Sequence, residues 1–348
     1  MSNKFTWEEY NLPKLVPTSS EEKQVQKDLW EEEEEEKTCN SSDDEKEQNS
    51  LKSFTIRHLK QGATGARKTW PAAEVLLDYL VRRGGLRSLP QKVNENTPSE
   101  LNFMKEPSPE LHIHHPHSSQ ESDKEPLRIL ELGGGTGYLS IGLALALNAE
   151  QDRDMKDDTP HSKNLNSSNA RIVCTDNDKA TIKNMKFNIS NQPKECKMNK
   201  MIKVSDLDWA NDVGGDKFDK ELRMQFQPKT QNSSSTNEEQ KDTEEEQDPL
   251  TLVSHLVASD VHYGKTTLEP LSSVIAATKL RNPQCRVTIL CKERAEGQIS
   301  DLKHRIEEKI QQNIDDTDSD SDDDFNHFYV SVRNIVHDEK ENLKLIEC

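Results

Sequence analysis

Seven consecutive residues limit what this chain can fold into more than any others. Glu131-Leu132-Gly133-Gly134-Gly135-Thr136-Gly137 joins the apolar run LRILEL, at 127–132, to YLSIGLALALNA, which begins at Tyr138. The first run is too short for a helix and reads as a buried strand; the second has helical length and composition. Glycines between them let the chain turn tightly and let a ligand approach the backbone without meeting a Cβ. The turn also leaves free N–H groups at a helix start. Strand, glycine turn and helix together read as the opening unit of a parallel α/β sheet, with a merely flexible loop as the bland alternative.

The spacing speaks to the ligand. A dinucleotide fingerprint is GxGxxG, whereas here it is GxGxG, with Tyr138 where the third glycine would stand. Glu131 inside the motif would repel a pyrophosphate but tolerate the ammonium and sulfonium of S-adenosylmethionine, so the methyl donor is favoured. Gly133, Gly135 and Gly137 are then its backbone cradle. In open α/β folds ligands bind at the carboxyl ends of adjacent strands. A second strand, ARIVCTDND at 170–178, ends in acidic residues, and Asp176 is the candidate for both ribose hydroxyls; helix capping is the alternative for an Asp there. Asp206-Leu207-Asp208-Trp209 follows a third strand, MIKVSDLDW at 201–209, and places Asp206 and Trp209 near the adenine, although Trp209 reads equally well as core.

Further alternation follows. LTLVSHLVASDVHY at 250–263 supplies a fourth strand, CRVTILCKER at 285–294 a fifth, and HFYVSVRNIV with NLKLIEC a closing antiparallel hairpin. Hydrophobic residues make up 31% of the 348 and charged residues 32%, so much of the chain is not packed core. The organisation expected is a disordered acidic tail over 1–52 and one domain over 53–348, with polar insertions at 91–125, 150–169, 211–248 and 313–325. Within the tail, Trp7, Tyr10, Leu29 and Trp30 could dock locally.

The net charge of −18 does not select a partner, because it is concentrated. Residues 1–50 hold 15 acidic and 6 basic side chains, 237–248 hold 7 and 1, and 312–325 hold 7 and none, which leaves the remainder slightly basic. Six scattered cysteines without a CxxC pair, no apolar leader and no long apolar stretch point to a soluble monomer of the cytosol or nucleus, without a membrane partner. Neither a basic aromatic patch nor an NPPY motif suggests nucleic acid. HIHHPH at 112–117 reads as a solvated histidine run rather than a metal site, so no metal is expected.

At the fourth strand's end stands Asp260-Val261-His262-Tyr263. With Thr64-Gly65, Trp70, Ala73 and Leu77 ahead of the first strand, the Glu131–Gly137 loop, Leu207 to Trp209, and Lys292-Glu293-Arg294, the chain resembles the family-16 protein-lysine methyltransferases, whose signature is DxxY. The resemblance implies a seven-strand Rossmann-like sheet ordered 3-2-1-4-5-7-6 with helices on both faces. It also implies a protein lysine as acceptor, Trp70 near the cofactor, and Asp260 with Tyr263 as catalytic residues of the lysine pocket. On that reading Asp260 orients the incoming amine, and His262, at a variable position, has no role. Two other readings stay open: a small-molecule N-methyltransferase using the same donor loop, and a non-catalytic interaction protein retaining the fold.

Overall fold

The computed structural model describes residues 5–13, 53–60, 64–82, 100–102, 126–156, 170–209, 216–226, 248–316, 330–336 and 342–348. Its strands are β1 (Phe5–Asn11), β2 (Ser53–Leu59), β3 (Glu100–Asn102), β4 (Arg128–Leu132), β5 (Arg171–Asp176), β6 (Ile202–Asp206), β7 (His255–Ser259), β8 (Arg286–Lys292), β9 (Ser331–Val336) and β10 (Asn342–Glu347). Its helices are α1 (Thr64–Arg67), α2 (Pro71–Arg82), α3 (Tyr138–Lys156), α4 (Lys179–Ser190), α5 (Met198–Met201), α6 (Asp216–Phe226), α7 (Lys265–Arg281) and α8 (Gln298–Asp316).

Strand pairing follows the order β3-β9-β10-β8-β7-β4-β5-β6. Counting β4 to β10 as one to seven and starting from β6, that order is 3-2-1-4-5-7-6, the sheet of class I methyltransferases. The five strands from β8 to β6 are mutually parallel, and β10 is antiparallel to both its neighbours. Buried on both faces, β4 and β5 send alternate side chains to opposite layers. Ile129, Ile172 and Cys174 join the core under α2, α3 and α4. Leu130, Leu132 and Val173 join the core under α6, α7 and α8. One helical layer therefore lies on each face of the sheet, and the turns that follow β4, β5, β6 and β7 share one rim.

Several boundaries differ from the expected ones. Residues 5–11, assigned to a disordered tail, form β1, which pairs antiparallel along the whole of β2. Tyr10 explains why: its ring stacks on Phe54, with centroids 5.8 Å apart, and meets Tyr138 edge-on at 4.7 Å. Within the span read as an insertion from 211, α6 buries Leu222 and Phe226, four residues apart on one face, in the core. The span from 91 contributes the short edge strand β3, parallel to β9. Helix α3 continues to Lys156 and α8 to Asp316, both past the expected limits. The HIHHPH run, Leu29 and Trp30 lie outside the described residues.

Candidate active site

The glycine turn works by close packing. Gly133, Gly135 and Gly137 have φ of +64°, +55° and +84°, a region that side chains disfavour. A Cβ on Gly133 would lie 2.6 Å from Val261 Cγ1 and 3.3 Å from the Trp209 ring, and one on Gly134 would lie 2.1 Å from Cys174 Sγ. The turn is thus wedged between the ends of β5, β6 and β7. Above it opens a cavity of about 530 Å3.

Asp176 ends β5 against this turn. One carboxylate oxygen accepts from the Gly135 N–H at 3.2 Å and the other from the Asp178 N–H at 3.0 Å. Burial raises its pKa above the ordinary value. The capping duty falls instead to Asp178, whose side chain accepts from the Thr181 N–H at 2.6 Å. Glu131 is 1% exposed and accepts from the Ser140 hydroxyl and, at 3.0 Å, from the Cys174 thiol. Desolvation pushes its pKa up to about 7, against the pull of those two donors.

The same cavity is lined by Trp70, from the turn before α2, and by Tyr263, after β7. The Lys68 ammonium sits 3.9 Å from the centroid of the Trp70 ring. Tyr263 is 57% exposed at the mouth. Partial withdrawal of its hydroxyl from water, with the carboxylates of Asp260 and Asp176, pushes the phenol pKa up to about 12.

Of the residues singled out in the sequence, Trp70, Glu131, Gly133, Gly135, Asp176, Trp209 and Tyr263 line this one cavity, while Gly137, Asp206 and Asp260 do not. Gly137 precedes α3, where its backbone turns against Met185. Asp206 is exposed at the end of β6, and Asp208, two residues on, lines the wall instead. Asp260 departs furthest from expectation. It is 2% exposed, and its carboxylate pairs with Arg294 at 2.6 Å and accepts from the Lys292 N–H at 3.2 Å, so it does not present itself to an incoming amine. His262 is buried, its ring bonded to the Thr267 hydroxyl at 3.0 Å and its pKa lowered by burial.

Sequence reasoning gave no site role to Asp208, Lys68, Thr181 or Arg294, all of which face the cavity. The Lys292-Glu293-Arg294 match was the available signal for Arg294. Two buried polar atoms of lining residues, Trp70 Nε1 and Thr181 Oγ1, have no hydrogen-bond partner among the described residues. Polar atoms left so beside a cavity are open to a polar ligand.

An open α/β sheet of this strand order, with a glycine-turn cavity at the carboxyl ends of its strands, defines a Rossmann-like methyltransferase. The lysine methyltransferase family model matches residues 49–224, just over half of the chain, and the protein belongs to that family. It is an S-adenosylmethionine-dependent methyltransferase. Among curated proteins none matches. Solved structures similar to it include a precorrin 8w decarboxylase from Methanobacterium thermoautotrophicum, at 10% identity over 64% of this chain and 81% of that one, with a TM-score of 0.30. Others are the glycopeptide N-methyltransferase MtfA in complex with S-adenosylmethionine, at 7% over 64% and 80%, TM-score 0.32, and the delta-N METTL16 methyltransferase domain, at 10% over 64% and 74%, TM-score 0.33. Among the described residues no helix is long and apolar enough to cross a membrane.

Proposed function

We propose that the enzyme methylates the side-chain amine of a lysine in a protein substrate. One observation carries the reading: a single cavity is lined both by the glycine turn, Asp176 and Trp209, which would make its donor end, and by Trp70 and Tyr263, which would make its acceptor end. S-adenosylmethionine supplies an electrophilic methyl group on a sulfonium. The residues fit it. Gly133 and Gly134 leave the space that a Cβ would fill, Asp176 would hold the ribose hydroxyls, and Trp209 with Asp208 would wall the adenine. Trp70 Nε1 and Thr181 Oγ1, unpaired and buried, would bond its polar groups. Glu131 supports the cation by its field rather than by exposed contact.

The acceptor end then receives the lysine. An ammonium of pKa about 10.4 costs roughly 4–5 kcal/mol to deprotonate at pH 7. Desolvation between Trp70 and Tyr263 lowers that cost. Tyr263 keeps its proton at neutral pH and is no base there, and the Asp260 carboxylate is already paired. Neither residue of the DxxY corner is then the base, the proton leaves to water as the side chain enters the open cavity, and the residues contribute alignment of the amine with the methyl group. An acceptor side walled by Trp70 and Tyr263 suits a long unbranched amine on a protein surface, in the cytosol or nucleus.

Calorimetric titration tests the donor half: S-adenosylmethionine should bind at one site per chain, and NAD should give no heat. Binding of NAD in preference to S-adenosylmethionine would refute the reading of the cavity.

A further inference from the structure

The Asp260–Arg294 pair lies outside the duties assigned so far, and its geometry is demanding. Asp260 holds φ at +53°, a strained conformation for any residue with a Cβ. Its N–H donates to the Leu290 carbonyl at 2.7 Å, and both carboxylate oxygens are engaged, one by Arg294 Nη2 and one by the Lys292 N–H. Arg294 is held from three further directions. Nη1 donates to the carbonyls of His262, at 3.3 Å, and Lys292, at 3.4 Å, and its backbone N–H donates to Gln298 Oε1 at 3.0 Å. Gln298 in turn donates to the His262 carbonyl at 3.0 Å, tying the turn after β7 to the turn after β8.

What this framework fixes is a guanidinium at the acceptor end. Arg294 Cζ lies 5.4 Å from the Tyr263 ring centroid and 5.9 Å from that of Trp70. The pair is oriented: Arg294 lines the cavity and Asp260 does not, so the positive end faces the chamber. A brace between two turns would need neither a charge at the cavity wall nor a strained partner behind it.

We propose that Arg294 is the residue that admits the neutral form of the incoming lysine, with Asp260 as its positioning residue. The proposal rests on the lysine-acceptor reading above. A fixed cation beside the two rings repels an ammonium entering between them and leaves a neutral amine untouched, which lowers the amine's pKa by about one unit after partial cancellation by Asp260. Among the described residues that line the same cavity, Lys68 adds charge of the same sign at Trp70, and the carboxyls of Glu131, Asp176, Asp178 and Asp208 oppose it. Tyr263 and Cys291 stay neutral, their pKa values pushed up to about 12 and about 11, and burial holds His262 neutral. Glu293 is occupied by Asn342 and Lys344, and the Lys292 backbone N–H donates to Asp260.

The test is the pH profile of transfer from tritiated S-adenosylmethionine by the full chain. The acceptor is the protein fraction of a cell extract freed of nucleic acid and small metabolites, and label is counted as methyl-lysine after hydrolysis. Arg294→Gln should lose about tenfold in rate at pH 7, with the rising limb moved up by about one pH unit and the rate recovering toward wild type above about pH 9. Arg294→Lys, which keeps the charge, should hold the limb within a few tenths of a unit. A loss equal at every pH, or no loss, in Arg294→Gln would overturn the proposal. Should that variant fail to bind donor, an upward-shifted limb in Arg294→Lys would overturn it equally. Wild-type label found everywhere except on lysine would instead refute the acceptor reading, and this proposal with it.

Discussion

At the residue scale, Glu131 is the side chain whose environment says most about the ligand. A buried carboxyl with a pKa of about 7, against an ordinary 4.5, takes up a proton on folding between those two values. The folded chain binds more protons there than the unfolded one. Glu131's contribution to stability is therefore full below about pH 4.5 and lost as the pH rises through about 7. Glu131→Gln should flatten that slope and gain on the order of 2–3 kcal/mol relative to wild type at pH 8, measured by urea unfolding at several pH values; parallel curves would show that the carboxyl is not held neutral by burial. Donor binding has the opposite slope. A sulfonium beside Glu131 favours its anion, so affinity should rise between pH 6 and 8 with proton release, and Glu131→Gln should abolish that rise in calorimetry run in two buffers. Gly134→Ala tests packing at the same turn. Its Cβ would stand 2.1 Å from Cys174 Sγ, so the variant should lose about 1–3 kcal/mol of stability and most donor affinity.

At the scale of elements, legibility followed locality. The strands β4, β5, β7 and β8 are apolar runs bounded by turns, and pairing in a parallel sheet buries them on both faces; sequence pattern alone was enough for these. The structure adds what the pattern hides. In β1 the burial is slight, with Tyr10 the half-buried residue of seven, and its partner strand lies more than forty residues away. No local signal marks such a strand. Helix α6 is hidden by composition, since DKFDKELRMQF is mostly charged and its inward face is narrow. Leu222→Ala should therefore cost about 2–4 kcal/mol, read as a lowered thermal midpoint, whereas a change within about 0.5 kcal/mol would return this segment to the status of an insertion. The site shows the same division. Residues placed by the turn and strand ends, from Gly133 to Asp176, were readable. Asp208 lines the cavity where Asp206 was expected, because a strand's last residue cannot be fixed from sequence, and a slip of this size exchanges one acid for another. That Asp260 would turn its carboxylate toward Arg294, thirty-four residues on, depends on the crossing of two turns that no spacing encodes.

Across the whole molecule, the lining of the cavity is drawn from both sides of the family match. The family match ends at residue 224, within α6. Trp70, Glu131, Asp176 and Trp209 fall inside it, while Val261, Tyr263 and Arg294 fall beyond it. The matched portion thus supplies the glycine turn, Asp176, Trp209, Lys68 and Trp70, and the later strands complete the same sheet and add Val261, Tyr263 and Arg294 to the lining. The net charge of −18 does not describe this wall, where Lys68 and Arg294 stand. Both ends must act together for one chemistry, and a single measurement addresses that directly: incubating the protein with labelled S-adenosylmethionine and whole-cell extract, then locating the label by mass spectrometry. Methyl groups on the side-chain nitrogen of lysine in a protein are the expected result; label confined to nucleic acid, to small metabolites or to residues other than lysine would contradict it.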